Sequence, residues 1–390
     1  MTLHVLIIGA GSTGAALAHD LALRGYRVTV IERGEIASET TGRNHGLFHS
    51  GARYALTDPA AARECAEENA RLRPLMPPIL ELNGGLFVAL NEEDLSHKDA
   101  FLEACGRAGV PAREIAPAQA LRLEPHLNPG ILAAVLTDDG VFDPFHFTLA
   151  FAATARRNGA AFHTYTEAVD LLWKGASVAG VRARDRREGQ ERAMGADLVV
   201  NAAGPWADRL ARMAGVALSL SPTGGIMVAV GRRWTRRVIN RLCPPSDGGI
   251  LVPQRRTSII GTTSWPVEDP DFVPIPPAQI EEMLAAGERM IPAFRSAATR
   301  GISAAVRPLV AETCQIESDD PGGRAISRGF CCFDHASEGA PGFFSLVGGK
   351  TTTSRHMAEV MGDLIGQRAG VDAPCRTRQT RLLGYHQYYD

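Results

Sequence analysis

The N-terminal segment carries the pattern that most constrains the fold of this chain. An apolar run at residues 3–8 leads directly into a glycine-rich segment at residues 9–14, and an alanine-rich stretch follows. A second apolar run, residues 27–31, ends at Glu32. A strand, a glycine turn, a helix, a second strand and a terminal acidic residue in this order predict a βαβ unit that binds a dinucleotide.

The residues of this turn have separate predicted roles in holding the cofactor. Gly9 permits the tight turn, Gly11 lets the backbone approach a pyrophosphate, and Gly14 lets the helix lie close to the strand. Ser12 and Thr13 begin the helix, whose free N–H groups and positive dipole end favour phosphate. The acidic residue that ends the second strand is placed to bind ribose hydroxyls.

The composition is typical of a globular protein without a general attraction to nucleic acid or lipid. The chain has 390 residues, enough for two domains with their own cores, and a net charge of −2. Its seven cysteines form no C-x-x-C pair, which indicates reduced thiols. No apolar run approaches the roughly 18 residues that a membrane span needs. We expect a cytoplasmic protein with no transmembrane segment of its own and no nucleic-acid partner, and any membrane attachment would be peripheral, at the inner face.

Two later segments place small residues at the end of an apolar run, at residues 197–204 and 343–351. The first of these turns lets the backbone pass close to a bound dinucleotide. The second is predicted to start a helix at residues 348–351, whose dipole and lysine would stabilise negative charge on a reduced flavin or on the substrate. A cofactor held by these two segments and the N-terminal turn is held by three distant pieces of chain, which favours FAD over NAD. The predicted contacts from the later segments are Ala203, Gly204, Gly348, Gly349, Lys350 and Thr351.

The middle of the chain predicts a second sheet. Two apolar runs, residues 250–253 and 258–261, are joined by a short polar turn, as in an antiparallel hairpin. The predicted fold is α/β, with a Rossmann-like FAD-binding domain and an antiparallel-sheet substrate domain. The FAD-binding domain is expected to be discontinuous, and the boundaries are residues 1–80, 140–222 and 305–390 for that domain and residues 81–139 and 223–304 for the substrate domain.

The segment at residues 41–54, TGRNHGLFHSGARY, is the most distinctive in the chain. It resembles the matching loop of FAD-dependent glycerol-3-phosphate dehydrogenases, in particular the flavin subunit of the anaerobic, multi-subunit type. The resemblance covers nearly the whole chain and continues in residues 62–69, 83–87, 238–247, 260–264, 306–309, 326–329 and 348–350.

This resemblance implies a D-amino-acid-oxidase-like architecture, in which FAD lies extended in the larger domain and the substrate lies between the flavin and the sheet of the smaller one. A phosphomonoester carries about two negative charges at neutral pH, and arginine matches its oxygens with a planar pair of donors. The residues that the resemblance places around the glycerol phosphate are Arg53, Tyr54, Arg307, Arg328 and Lys350.

The implied reaction is hydride transfer from C2 of sn-glycerol 3-phosphate to flavin N5, which gives dihydroxyacetone phosphate. Lys350 and Arg307 would stabilise the developing alkoxide, and a base must accept the hydroxyl proton. His45 and His49 are the candidates, and the sequence does not choose between them. Their spacing does not indicate a metal pair, because the glycine-containing loop is not helical and no third ligand follows. No metal is expected.

The long loop after the second strand, residues 33–57, is rich in Gly, Ser and Thr. We expect it to supply the remaining cofactor contacts. His49 also lies near enough in sequence to contact the flavin ring, and a hydrogen bond is favoured over covalent attachment. The predicted cofactor-binding residues of this loop are Arg33, Thr41, Arg43, Asn44 and His45.

The route by which electrons leave is the least constrained part of the prediction. The flavin subunit of the anaerobic type carries a cysteine-rich C-terminal extension, which has no counterpart before Asp390. We expect the electrons to pass to a quinone or to a separate electron-transfer or membrane-anchoring subunit. The alternative is a dehydrogenase or oxidase of the same fold that acts on another polyol phosphate, a 2-hydroxy acid or an amino acid. A non-catalytic flavin-binding protein is disfavoured by the clustered cations.

Overall fold

The computed structural model describes residues 2–76, 78–245, 247–310 and 329–390. Its strands are β1 (His4–Ile8), β2 (Arg27–Ile31), β3 (Leu47–Phe48), β4 (Leu80–Glu81), β5 (Gly85–Ala89), β6 (Ala112–Ile115), β7 (Ala133–Thr137), β8 (Gly140–Phe142), β9 (Ala161–His163), β10 (Thr166–Lys174), β11 (Ser177–Asp185), β12 (Glu191–Gly195), β13 (Leu198–Asn201), β14 (Leu220–Val230), β15 (Val238–Arg241), β16 (Ile250–Gln254), β17 (Thr257–Gly261), β18 (Trp265–Pro266), β19 (Thr299–Val310), β20 (Phe330–Asp334) and β21 (Phe343–Gly348). Its α-helices are α1 (Ser12–Leu23), α2 (Pro59–Leu75), α3 (Glu92–Ser96), α4 (Lys98–Arg107), α5 (Pro117–Leu123), α6 (Pro144–Arg157), α7 (Ala207–Met213), α8 (Pro277–Met290) and α9 (Ser354–Ala369).

The N-terminal strand lies inside a six-stranded sheet of order β20-β21-β13-β1-β2-β9. Every pairing in it is parallel except that of β20 with β21. All five residues of β1 are buried, as expected for a parallel strand that is covered on both faces. Helices α1, α6 and α9 cover one face, and the small sheet β10-β11-β12 with α7 covers the other. The predicted Rossmann-like unit is confirmed.

A second sheet of nine strands has the order β18-β14-β17-β16-β15-β5-β7-β6, with β19 paired to β14. Its pairings are antiparallel except that of β5 with β15. Helix α8 packs on it, and its Met283 and Met290 belong to the same buried cluster as Ile226 and Val228 of β14. The predicted hairpin is β16 and β17, which confirms the antiparallel second sheet. Within the described ranges, every helix is too short or too polar to cross a membrane.

The predicted domain boundaries separate most strands of the two sheets, and they remain a prediction. The six-stranded sheet takes its strands from the three segments assigned to FAD binding. Strand β14 begins at Leu220 and runs across the predicted boundary between residues 222 and 223. Strand β19 ends at Val310 and runs across the predicted boundary between residues 304 and 305.

A buried ion-pair network fixes helix α9 against α2 and the C-terminal segment. The Arg355 side chain is 1% exposed, and its Nε and Nη2 donate to the Glu68 carboxylate at 2.7 and 2.6 Å. Its Nη1 donates to Glu359 at 2.7 Å and to Thr377 Oγ1 at 3.0 Å. Because α9 follows residues 348–353 directly, this network also sets where that segment lies.

We expect Arg355→Met to lower the free energy of unfolding by about 2 kcal/mol or more, because it removes the buried cation that Glu68 and Glu359 share and leaves them the more exposed Arg71 and Arg378. Urea denaturation at pH 7 measures this. Arg182→Met is the matched control, since Arg182 pairs with Asp170 at 2.6 Å but both side chains are nearly half-exposed. The control should cost less than about 1 kcal/mol. An equally small loss for Arg355→Met would contradict a stabilising role of the network.

Candidate cofactor and substrate site

A cavity of about 470 Å³ is lined by connections of the parallel sheet and by residues of the antiparallel sheet. The three segments predicted to hold the cofactor all contribute to it, as does the loop that follows β2. The predicted residues found in the lining are Gly9, Gly11, Ser12, Thr13, Glu32, Arg33, Thr41, Asn44, His45, His49, Arg53, Tyr54, Ala203, Gly204, Arg307, Gly348, Gly349, Lys350 and Thr351.

Two described residues of the prediction, Gly14 and Arg43, are not among the lining residues, and a third predicted residue lies outside the described ranges. Gly14 packs beneath the turn, where a Cβ atom would collide with the carbonyl oxygen of Gly9. Its role is to let α1 approach β1. Arg43 does not line the cavity formed by the described residues, and its exposed guanidinium pairs with Glu39 at 3.1 Å. Arg328 belongs to residues 311–328, which lie outside the described residues.

The glycine turn is shaped so that only a residue without a side chain fits at its start. Gly9 has φ +107°, and a Cβ atom there would lie 2.5 Å from the carbonyl oxygen of Ala202 in the second turn. Gly11 is the N-cap of α1 and offers no side chain to the amides of the first helical turn, of which that of Ser12 donates to Thr41 Oγ1 at 3.1 Å. This arrangement fits a bound pyrophosphate.

Glu32 organises the turn in addition to its predicted contact with ribose. Its Oε2 accepts from the Ala10 N–H, and its Oε1 accepts from the Gly34 N–H, both at 2.8 Å. Burial raises its pKa, although these two hydrogen bonds oppose the rise. Each carboxylate oxygen keeps a further lone pair for a hydroxyl donor. The turn, the helix end and this acid together fit the nucleotide portion of FAD.

The late segment begins with a 3₁₀ turn rather than with the predicted α-helix. Thr353 Oγ1 accepts from the Lys350 N–H at 3.3 Å, and the Thr353 N–H donates to the Lys350 carbonyl at 3.0 Å. Threonine side chains compete in this way for backbone groups near a helix start. Residues Thr351–Thr353 therefore form a 3₁₀ turn, and α9 begins at Ser354.

Arg307 reaches the cavity from the antiparallel sheet with a fixed guanidinium. Its Nη2 donates to Thr262 Oγ1 at 2.7 Å and to the Thr263 carbonyl at 3.0 Å. Its Nη1 donates to the Gly224 carbonyl at 3.1 Å. These hydrogen bonds to hydroxyl and carbonyl oxygens hold the guanidinium in place.

Two further cations line the cavity, Lys350 just after β21 of the parallel sheet and Arg53 in the turn after β3. Arg53 is 8% exposed, and the Lys350 Nζ lies 4.9 Å from the centre of the Tyr54 ring. Burial on its own would lower the pKa of Lys350, but nearby acidic groups outweigh it and raise that pKa. Lys350 is therefore charged at neutral pH. These acidic groups are Cys65, Tyr54, Glu64 and Asp58.

Both candidate histidines are neutral at pH 7. Burial, helped by Arg307 and Arg53, lowers the pKa of His45 to about 4. Burial, helped by His45 and Lys350, lowers the pKa of His49 well below its usual value. In the described ranges, no group of three or more His, Cys, Asp or Glu side chains could hold a metal ion.

The two histidines differ in what surrounds their ring nitrogens. His45 Nδ1 accepts from the Leu47 N–H at 3.2 Å. A neutral imidazole that accepts at Nδ1 carries its proton on Nε2, so His45 presents a donor there. His49 Nδ1 is buried and has no hydrogen-bond partner among the described residues. No contact at Nδ1 therefore fixes which ring nitrogen of the neutral His49 carries the proton.

The lining residues that the sequence analysis missed include three with polar side-chain groups that contact one another, Trp206, Arg209 and Asp271. Trp206 could have been found from the sequence, because it lies two residues beyond the predicted turn at residues 201–204. Asp271 could not, because it belongs to a loop of the other sheet. No local pattern shows which residue of such a loop reaches across a cavity.

Comparison with known proteins agrees with this geometry. A family model described as FAD dependent oxidoreductase matches residues 4–355. A chain of the anaerobic glycerol-3-phosphate dehydrogenase of Escherichia coli (strain K12) is 42% identical over 383 residues, which cover 97% of this chain and 70% of the relative. The corresponding chain from Haloferax volcanii is 39% identical over 394 residues, covering 98% of this chain and 67% of the relative. Both relatives are named as single subunits of that enzyme.

A solved structure gives the same architecture. The glycerol-3-phosphate dehydrogenase from Bacillus halodurans, complexed with FAD, matches with a TM-score of 0.72 and 24% identity. The match covers 98% of this chain and 68% of that chain. At this identity the likeness shows the fold, and it confirms the predicted class.

We expect Gly9→Ala to weaken FAD binding by about tenfold or more, because a Cβ atom 2.5 Å from a backbone oxygen forces the turn apart. The FAD content of the purified protein and its dissociation constant measure this. Gly25→Ala is the matched control, because Gly25 also has a positive φ, +89°, but nothing lies within 4 Å of its Cβ position. The control should lose some stability and keep its FAD. Equal FAD binding by both variants would show that the close approach is unimportant.

Proposed function

This chain belongs to the FAD-dependent oxidoreductase family, and we propose that it oxidises the C2 hydroxyl of sn-glycerol 3-phosphate to give dihydroxyacetone phosphate. The observation that carries the proposal is the grouping of Arg53, Arg307 and Lys350 with two neutral histidines in one cavity. A phosphate ester withdrawn from water needs several fixed cations to replace its hydration. A carboxylate substrate needs fewer.

The relatives support this choice of substrate. Proteins named as parts of an anaerobic glycerol-3-phosphate dehydrogenase match almost the full length of this chain, at 39 to 42% identity. The residues that the family resemblance assigns to the phosphate, as far as the structure describes them, meet in the cavity lining. Two independent observations, the overall similarity and the local charge, therefore favour the same substrate.

Bound FAD supplies the hydride acceptor. The residues of the chain bind the ester, orient its C2 hydroxyl and stabilise the negative charge that grows on the hydroxyl oxygen. Arg307 is suited to this because its guanidinium is already fixed by three oxygen acceptors, so little reorganisation is needed during the reaction. Lys350 adds a charged ammonium from the opposite sheet.

A neutral histidine takes the hydroxyl proton in this proposal, and we assign that step to His49. Its pKa is lowered, so the imidazole is uncharged and able to accept a proton at neutral pH. His45 is the less suitable base, because its Nδ1 is occupied by the Leu47 N–H and its Nε2 carries the proton. His45 is placed instead to donate a hydrogen bond.

Electrons must leave the chain after each oxidation. The names of the relatives mark each of them as one component of a multi-subunit anaerobic dehydrogenase. We propose that this chain likewise passes its electrons to a quinone or to another protein of such a complex, and that it does so on the cytoplasmic side of a membrane.

Anaerobic reduction of the FAD-loaded protein tests the substrate. We expect sn-glycerol 3-phosphate to bleach the flavin absorbance, and glycerol to do so with about 100-fold or lower efficiency, because it lacks the charge-assisted hydrogen bonds to the phosphate. Erythritol 4-phosphate, D-lactate and glycine complete the series. Faster bleaching by D-lactate or glycine would overturn the proposal, and faster bleaching by erythritol 4-phosphate would move it to a longer polyol phosphate.

We expect Arg307→Met to lower kcat/KM for sn-glycerol 3-phosphate by about 30-fold or more, with FAD content unchanged, because an enclosed cation is removed from its anion. Arg300→Met is the matched control, since Arg300 lies on the same strand, β19, and is exposed. The control should keep wild-type kinetics. A near-normal kcat/KM for Arg307→Met would remove Arg307 from the substrate site.

A further inference from the structure

The loop between β18 and α8, residues 267–276, crosses from the antiparallel sheet to the nucleotide end of the cavity. Asp271 Oδ1 in this loop accepts from Arg33 Nη1 at 3.2 Å and from the Trp206 indole Nε1 at 2.8 Å. Its Oδ2 accepts from Arg209 Nη1 at 2.5 Å. These four residues all line the cavity.

The partners of Asp271 belong to two different connections of the parallel sheet. Arg33 directly follows Glu32 at the end of β2, and Trp206 and Arg209 follow β13. Arg33 also stacks on Trp206, with its guanidinium carbon 3.9 Å from the ring centre. One carboxylate therefore ties together both connections that flank the nucleotide end of the cavity.

The loop itself is shaped to present this carboxylate. Asp269 Oδ1 accepts from the Asp271 N–H at 2.9 Å and also from Arg209 Nη2 at 2.6 Å. The Val267 N–H donates to the Pro222 carbonyl at 2.9 Å, which anchors the start of the loop to β14. The loop is held at both points, so the position of Asp271 does not depend on a single contact.

We propose that Asp271 latches the 267–276 loop across the nucleotide end of the cavity, and that this latch slows the release of FAD. The inference rests on the cofactor of the family and not on the substrate, so it goes beyond the proposed reaction. To leave through this end, the cofactor must part the loop from Arg33, Trp206 and Arg209.

The latch is electrostatic, which makes it sensitive to salt. The side chains of Asp271 and Arg209 are 46% and 47% exposed, and that of Arg33 is 26% exposed. An isolated exposed ion pair contributes little, but here one carboxylate joins two guanidinium groups and an indole N–H. Ions in solution screen such exposed charges. FAD release from the wild-type protein should therefore accelerate as the salt concentration rises.

The experiment follows FAD release from the loaded protein, by the rise in flavin fluorescence after dilution. Asp271→Asn keeps the size of the side chain and an acceptor for the indole, but it removes the charge that both arginines share. We expect release to become about fivefold faster at low salt, and its salt dependence to become flatter than that of the wild type. Arg209→Gln should act in the same direction. The double variant should release FAD little faster than either single variant, because the two changes break one network.

Asp170→Asn is the matched control. Asp170 is also 46% exposed and pairs with Arg182 at 2.6 Å, but it does not line the cavity among the described residues. Wild-type release rates and salt dependence in both Asp271→Asn and Arg209→Gln would overturn the latch. So would equal acceleration in Asp170→Asn, since that would show a general loss of stability. Failure of sn-glycerol 3-phosphate to bleach the flavin would overturn the reaction and leave the latch standing.

Discussion

The contact between the glycine turn and the second turn is the constraint on which the site depends. The backbone at Gly9 lies so near the Ala202 carbonyl that no Cβ atom fits between them. Gly14 gives α1 the same closeness to the turn. Because three strand ends meet at this edge of the parallel sheet, the N-terminal end of α1 and the late segment around Lys350 can face one cavity. The glycines thus let the backbone segments approach one another closely, and the other residues provide the charged groups of the cavity.

The charges around the cavity act on one another. Arg53, Arg307 and Lys350 come close together only because the fold encloses them, and enclosure is costly for charged groups. The same positive potential and the same burial keep His45 and His49 neutral. A site that attracts an anion is therefore also a site that keeps an imidazole uncharged. Anion binding and the charge state of the two histidines share one electrostatic origin.

Rigid support for this arrangement comes from outside the cavity. The Arg355 network fixes the helix that follows Lys350, and it joins residues that are far apart in the chain, Glu68 and Thr377 among them. Nothing in the local sequence around Arg355 indicates these partners. The same holds for Asp271, whose three side-chain partners lie in connections of the parallel sheet. Which charged groups are buried, and which of them pair, is decided only when the layers of the fold pack together.

Local patterns were sufficient wherever structure depends on neighbours in sequence. The βαβ unit, the hairpin of β16 and β17, and the small-residue turns follow from strand periodicity and from glycine geometry, which act over a few residues. Three small-residue segments favoured FAD, which the family model confirms, and the family resemblance, carried by residues 41–54 above all, added the expected substrate. Tertiary structure alone decided that Arg43 faces solvent while Arg53 is buried, that α9 starts at Ser354, and that Asp271 reaches across to the connections of the parallel sheet. These outcomes depend on which surfaces meet, and a one-dimensional pattern does not encode the distance between residues that are far apart in the chain.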